Sequence, residues 1–201
     1  MPFNHNHRYH PLLLRQVPDG ARTALDAGCG TGGFARRLAS AGLRVDAVDQ
    51  AADVLAVARA LGTPGPGEIT YRQADITRAE LGTYDFISCI ASIHHVPFEN
   101  VTRLRKALAP GGVLAIVGLA QPSSLADRGA WLVAGPPLNL LARLVVHLGE
   151  ALNGGPDHGI APPIRPESMT MAQVRAESAR LLPGRRVRPL LFWRYLLTYR
   201  A

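Results

Sequence analysis

Apolar and polar positions follow two alternating rhythms along this chain. Short apolar runs at residues 23–25, 44–48, 69–73, 84–90 and 113–117 have the length and composition of strands. The run at 84–90 is apolar enough to predict a strand buried on both faces. Between the runs lie amphipathic stretches with helical spacing, at 34–40, 51–60 and 99–108. The last carries its stripe on Val101, Leu104 and Leu108. A further helix is predicted over 171–182, with Thr170 as its N-cap. Gly and Pro punctuation marks a loop at 62–67 and a sharp turn at Ala109-Pro110-Gly111-Gly112. Strands that alternate with helices in this way predict an α/β chain.

Three stretches fall outside the alternation. Residues 1–20 are rich in His, Pro and Asn and read as a polar arm or a lid. Residues 119–166 hold Trp131, a broken apolar helix through Leu148 and a run of Gly and Pro; they read as an inserted substrate cover, a peripheral helix pair or a dimer patch. Residues 185–199 read as two strands turning near Phe192-Trp193-Arg194.

Composition changes this picture little. The 201 residues suit one domain, 1–201, with a full three-layer core. The formal charge of +7 comes almost wholly from arginine, with Lys106 the sole lysine. The basic residues are scattered apart from Arg185, Arg186 and Arg188, which argues against a nucleic-acid partner. Cys29 and Cys89 have neither disulfide-framework nor metal-site spacing and read as reduced thiols. His5, His7 and His10 have no Cys or acidic ligand nearby, so no metal is expected. No apolar signal region opens the chain, and the apolar stretch 130–148 is broken by Gly135-Pro136-Pro137 and Arg143. The expected setting is cytoplasmic, as a monomer or homodimer without membrane insertion.

Candidate chemistry concentrates in Leu25-Asp26-Ala27-Gly28-Cys29-Gly30-Thr31-Gly32-Gly33, which reads as strand, glycine turn and helix start. Glycines allow a sharp turn and close approach of a ligand to the backbone, and the new helix presents free N–H groups. Gly28-x-Gly30-x-x-Gly33 fits the dinucleotide fingerprint. Asp26 disfavours a pyrophosphate there and suits a ligand carrying positive charge. Asp49 ends the second strand about 20 residues beyond the glycines, the spacing that places a carboxylate on a ribose diol; it could instead cap the following helix. His94 and His95 follow the fourth strand, where ligands of such sheets bind, and either a base or a pocket-shaping role suits them.

The pattern Asp26-x-Gly28-x-Gly30-x-Gly32 resembles motif I of class I S-adenosylmethionine (SAM)-dependent methyltransferases, and Leu108-Ala109-Pro110-Gly111-Gly112 before an apolar strand is again similar to that family. The layout is similar to the small-molecule type found in quinone biosynthesis. The resemblance implies a doubly wound, Rossmann-like seven-stranded sheet in a three-layer αβα stack. Its C-terminal hairpin is antiparallel, with the last strand between strands five and six. It also implies SAM as cofactor, becoming S-adenosylhomocysteine (SAH), and a small-molecule acceptor attacked through O, N or C by in-line displacement. Gly28, Cys29, Gly30 and Gly32 would then meet the methionine moiety and Asp26 its ammonium through water. Asp49 would hold the ribose, with Gln50 beside the adenine. Asp75 would read the adenine amine, with Ile76 on the ring, each open to a plain capping or packing role. Backbone of Cys89, Ile90 and Ala91 would close the pocket, and Tyr9 with His10 would fold over it as a lid. Asp85 matches an acidic residue common at that strand entry. His95, then His94, matches a His pair near the transferred methyl. A Pro-Pro-Tyr signature of DNA amino-methylating enzymes is missing after strand four. The alternatives are an NAD(P)-dependent oxidoreductase, which lacks a Tyr-x-x-x-Lys proton donor here, and a SAM-binding protein that transfers no methyl.

Overall fold

The structure is a computed structural model that describes residues 7–121, 169–190 and 193–201. Five strands lie parallel: β1 (Thr23–Ala27), β2 (Arg44–Asp49), β3 (Glu68–Gln73), β4 (Tyr84–Ile90) and β5 (Leu108–Leu119). The chain then turns back, and β7 (Arg194–Arg200) inserts antiparallel between β5 and β6 (Arg186–Pro189). The resulting seven-stranded order is β3-β2-β1-β4-β5-β7-β6. This is the sheet with an antiparallel C-terminal hairpin that the resemblance implied.

Helices cover both faces because successive strand residues point to opposite sides. On one face Ala24, Phe86, Ala115 and Val117 pack with Phe34 and Leu38 of α2 (Gly33–Ser40) and Leu13 of α1 (His10–Leu14). On the other, Leu25, Ile87, Leu114 and Ile116 pack with Leu104 of α4 (Val101–Lys106) and Val174 of α5 (Met171–Leu181). Each such large aliphatic side chain, fully buried, contributes roughly 1.5–3 kcal/mol. α3 (Ala52–Ala60) buries Leu55 and Ala58. Thr170 caps α5 in a reciprocal box with Gln173.

Several elements differ from the sequence pattern. The helix predicted over 99–108 is a 3-10 turn, Phe98–Asn100, followed by the short α4. Leu108 leaves the helix stripe and pairs with Tyr84. The turn at 109–112 sits inside β5 as a bulge, because Tyr84 opposes Leu108 while Phe86 opposes Val113. Gly111 supplies the positive φ of 76° there, and the C-terminal Ala201 exchanges hydrogen bonds with Gly111 and Gly112. Near the N-terminus, His7–Tyr9 forms a 3-10 turn leading into α1, with Tyr9, His10 and Leu13 buried. The expected cover over 119–166 begins as the end of β5 and a bridge from Gln121 to Thr170; its remainder from 122 with Trp131, residues 1–6 and Phe192 of the closing turn lie outside the described residues. Among the described residues no helix is long and apolar enough to cross a membrane.

Candidate functional site

The C-terminal ends of β3, β2, β1 and β4 are adjacent in the sheet, so the segments following them form one rim. The glycine loop occupies its middle. Gly28 and Cys29 donate their backbone N–H groups to the Val48 carbonyl of β2, at 2.8 and 3.0 Å. Gly28, Gly30 and Gly32 all have positive φ, of 74°, 52° and 71°. A Cβ at Gly28 would run into the Ser92 side chain, and one at Gly32 into Tyr71. At Gly30 a Cβ would meet nothing within 4 Å, so this backbone faces open space. Gly32 is also the N-cap of α2 and offers no side-chain cap to its first amides.

Beneath the loop, Asp26 is 2% exposed, in a strand otherwise apolar toward that face. Its Oδ1 accepts from Ser88 Oγ of β4 at 2.8 Å, and the Ala35 backbone amide of α2 faces it. Burial nevertheless dominates, raising its pKa to about 6, while Ser88 and Ala35 pull it down and Asp49 adds to the rise.

Asp49 closes the loop from the β2 side. Its Oδ2 accepts from Gly30 N–H at 2.8 Å, and its Oδ1 from Ala51 N–H at 3.0 Å. The N-cap of α3 is Ala51, so the capping alternative becomes a short turn ahead of the helix. Gln50 is exposed, and its carbonyl accepts from Gln73 Nε2 at 3.3 Å. After β3, Asp75 is exposed and accepts from Thr77 N–H at 2.8 Å, which holds its carboxyl below the usual range. The next residue, Ile76, is partly buried against the core. Asp85 lies at the opposite end of β4 and ties down the start of β1, accepting from Arg22 N–H, Thr23 N–H and Thr23 Oγ1.

Beyond β4 the chain passes through Ala91, a non-glycine residue at φ 51°, whose N–H donates to Val117. Ser92 Oγ donates to the Ala27 carbonyl at 2.7 Å and lies 3.0 Å from Cys89 Sγ. Burial pushes the Cys89 thiol up to about 12, and burial also raises Cys29, so both stay protonated at neutral pH. His94 and His95 sit in a 3-10 turn, Ile93–His95, with ring centroids 4.1 Å apart. Burial, then His95 and Arg194, lower the His94 pKa to about 4. Its Nδ1 is sealed from solvent, with no hydrogen-bond partner among the described residues.

The far wall is built from the two chain ends. Arg194 places its guanidinium carbon 5.6 Å from the Tyr9 ring centroid. Burial raises the pKa of Tyr9, and Arg194 offsets part of that rise. His10 packs on Phe34 at 5.0 Å. The rim therefore brings together Asp26, the three glycines, Asp49, Gln50, Asp75, Ile76, residues 89–91, the His pair and Tyr9. Four contributors escape the sequence reading: Ser88, Ser92, Tyr71 and Arg194. Of these, Ser88 alone leaves a trace, as a hydroxyl within an apolar strand. Among the described residues no group of three or more His, Cys, Asp or Glu could hold a metal.

This chain is similar to known proteins in sequence and in fold. A family model described as a methyltransferase domain matches residues 24–112. A methyltransferase of Mycobacterium tuberculosis is 35% identical over 100% of this chain and 98% of its own. A ubiquinone biosynthesis O-methyltransferase of Bordetella avium is 34% identical over 53% of this chain and 48% of its own. The crystal structure of magnesium protoporphyrin IX methyltransferase from Synechocystis PCC 6803 with bound SAM superposes at a TM-score of 0.60, with 16% identity, covering 97% of this chain and 77% of that one.

Proposed function

The chain belongs to the class I SAM-dependent methyltransferases, and from that premise we propose that it methylates a small-molecule acceptor at the rim described above. The observation that carries the placement is the Gly30 amide, which donates to Asp49 rather than standing free. A dinucleotide pyrophosphate needs such amides as donors and would meet the Asp26 carboxylate beneath the loop. SAM suits the same donor set, since it presents a cationic ammonium and sulfonium together with a diol. SAM supplies a methyl that leaves an already electrophilic sulfonium as the neutral thioether goes.

The residues of the chain bind and orient. Gly28, Cys29, Gly30 and Gly32 bring bare backbone against the methionine moiety, with Asp26 below its ammonium. Asp49 accepts from the ribose hydroxyls while keeping its bond to Ala51. Gln50, Asp75 and Ile76 line the adenine side, and Cys89, Ile90 and Ala91 close the pocket across β4. Tyr9 covers it from the N-terminal side, within a single domain spanning 1–201. Holding nucleophile and methyl in line supplies a large share of the rate, because the orientation is fixed before reaction.

The His pair divides the remaining work. His94 stays neutral down to about pH 4. So weak a base is a poor proton sink at pH 7, but its Nδ1 accepts a hydrogen bond from the acceptor. His95 is the residue that takes the proton of a hydroxyl or amine nucleophile. The test combines tritium-labelled SAM with the small-molecule filtrate of a cell extract and, separately, with its RNA and protein. Label is expected in the filtrate, while label confined to the macromolecules overturns the acceptor class. Hydrogen exchange with SAH is expected to protect residues 26–32, 49–50, 75–76 and 89–91.

A further inference from the structure

A guanidinium does not shed its proton at working pH, so sealing its N–H groups from water without an acceptor is costly. Among the described residues Arg194 is in that position. It opens β7 opposite Leu119, at the C-terminal end of β5, and so stands at the same end of the sheet as the glycine loop. Its Nε and Nη1 are closed off from solvent, with no hydrogen-bond partner among the described residues. The face of Tyr9, 5.6 Å from its guanidinium carbon, attracts its charge. Among the described residues no carboxylate forms an ion pair with it. The His94 imidazole lies near enough to feel its charge, and His94 Nδ1 is likewise unpartnered among the described residues.

We propose that Arg194 is the anion-binding residue of the acceptor subsite, receiving a carboxylate carried by the methyl acceptor, with His94 beside it. The proposal rests on the reading of this rim as the SAM site. Position separates the acceptor's carboxylate from the one on SAM itself. β7 lies three strands from β1 in the order β1-β4-β5-β7, roughly 14 Å at about 4.8 Å per strand. The methionine moiety is assigned to the loop after β1. A guanidinium suits a carboxylate because its planar N–H groups match the two oxygens, and the +7 formal charge draws anions toward the protein.

Benzoate and its uncharged counterpart benzamide serve as probes. The SAH-loaded protein is titrated with each, following the Arg194 Nε–Hε signal by NMR and ligand saturation transfer. Benzoate is expected to move that signal and to bind at least tenfold more tightly than benzamide. Arg194→Met is expected to reduce benzoate to the level of benzamide in the SAH-loaded protein. Equal binding of the two probes, or a preference that survives Arg194→Met, overturns the assignment. If Arg194→Met does not fold, the wild-type spectra decide, and an Nε–Hε signal indifferent to benzoate overturns it. Failure of the wild type to bind SAH would count against the SAM site itself, and the same titration without SAH still tests Arg194.

Discussion

Replacing Asp26 with Asn isolates the cost of keeping a carboxylate under the glycine loop. Asn is the same size, keeps an oxygen for Ser88 Oγ and carries no charge. The unfolded chain ionises this carboxyl near 3.8 and the folded one near 6. Between those values the native state holds a proton that the unfolded state has lost, so the contribution of Asp26 to stability falls as pH rises. The loss levels off about one unit above the folded value, near pH 7. For a group with so little exposure, the shift corresponds to on the order of 2–3 kcal/mol. Urea unfolding of both proteins at intervals from pH 4 to 8 measures it. The gap in stability, Asp26→Asn minus wild type, should widen by about that amount between pH 4 and 7 and then level off. The depressed pKa of His94 changes stability in the opposite sense between pH 6.5 and about 4, but both proteins keep that residue, so it cancels in the difference. Parallel stability curves would refute the reasoning, since they would mean that Asp26 titrates alike in the folded and unfolded chains.

Other outcomes follow from the same geometry. With Asp49 on the ribose diol, Asp49→Ala removes charge-assisted bonds to the cofactor worth about 1.5–3 kcal/mol each, so calorimetric SAH dissociation constants should rise at least tenfold; an unchanged value removes Asp49 from the site. Gly28→Ala forces a Cβ into Ser92 at φ 74° and should cost about 2 kcal/mol or more in denaturant stability, part of it recovered by adding Ser92→Gly. No recovery would place the cost in the backbone alone. His95→Asn should slow single-turnover methylation by roughly 10²–10⁴-fold with SAH affinity within twofold, and an unaltered rate would leave the pair a purely architectural role.

Much of this protein is legible from local pattern. Residues 84–90 form the predicted strand to the residue, and Thr170 caps α5 as its type suggests, because strand alternation and helix capping depend on near neighbours. The glycine loop is legible for the same reason, since its positive φ angles are a local demand that glycine meets. Where a long-range contact competes, the pattern misleads. Leu108 fits the α4 stripe, yet pairing with Tyr84 draws it into β5. The histidine-rich start reads as a polar arm or a lid, and only the packing of His10 on Phe34 and of Arg194 on Tyr9 shows that both residues are buried. The sequence by itself thus determined the family and most of the sheet-and-helix order, and it nominated residues for the rim without Ser88, Ser92, Tyr71 and Arg194. Only the tertiary structure decided their electrostatic states: Asp26 near 6 through burial beneath α2, His94 near 4 through burial beside Arg194, and Arg194 held without a counter-charge among the described residues. Desolvation is set by what the whole fold stacks around a group, and that information lies in residues far apart along the chain.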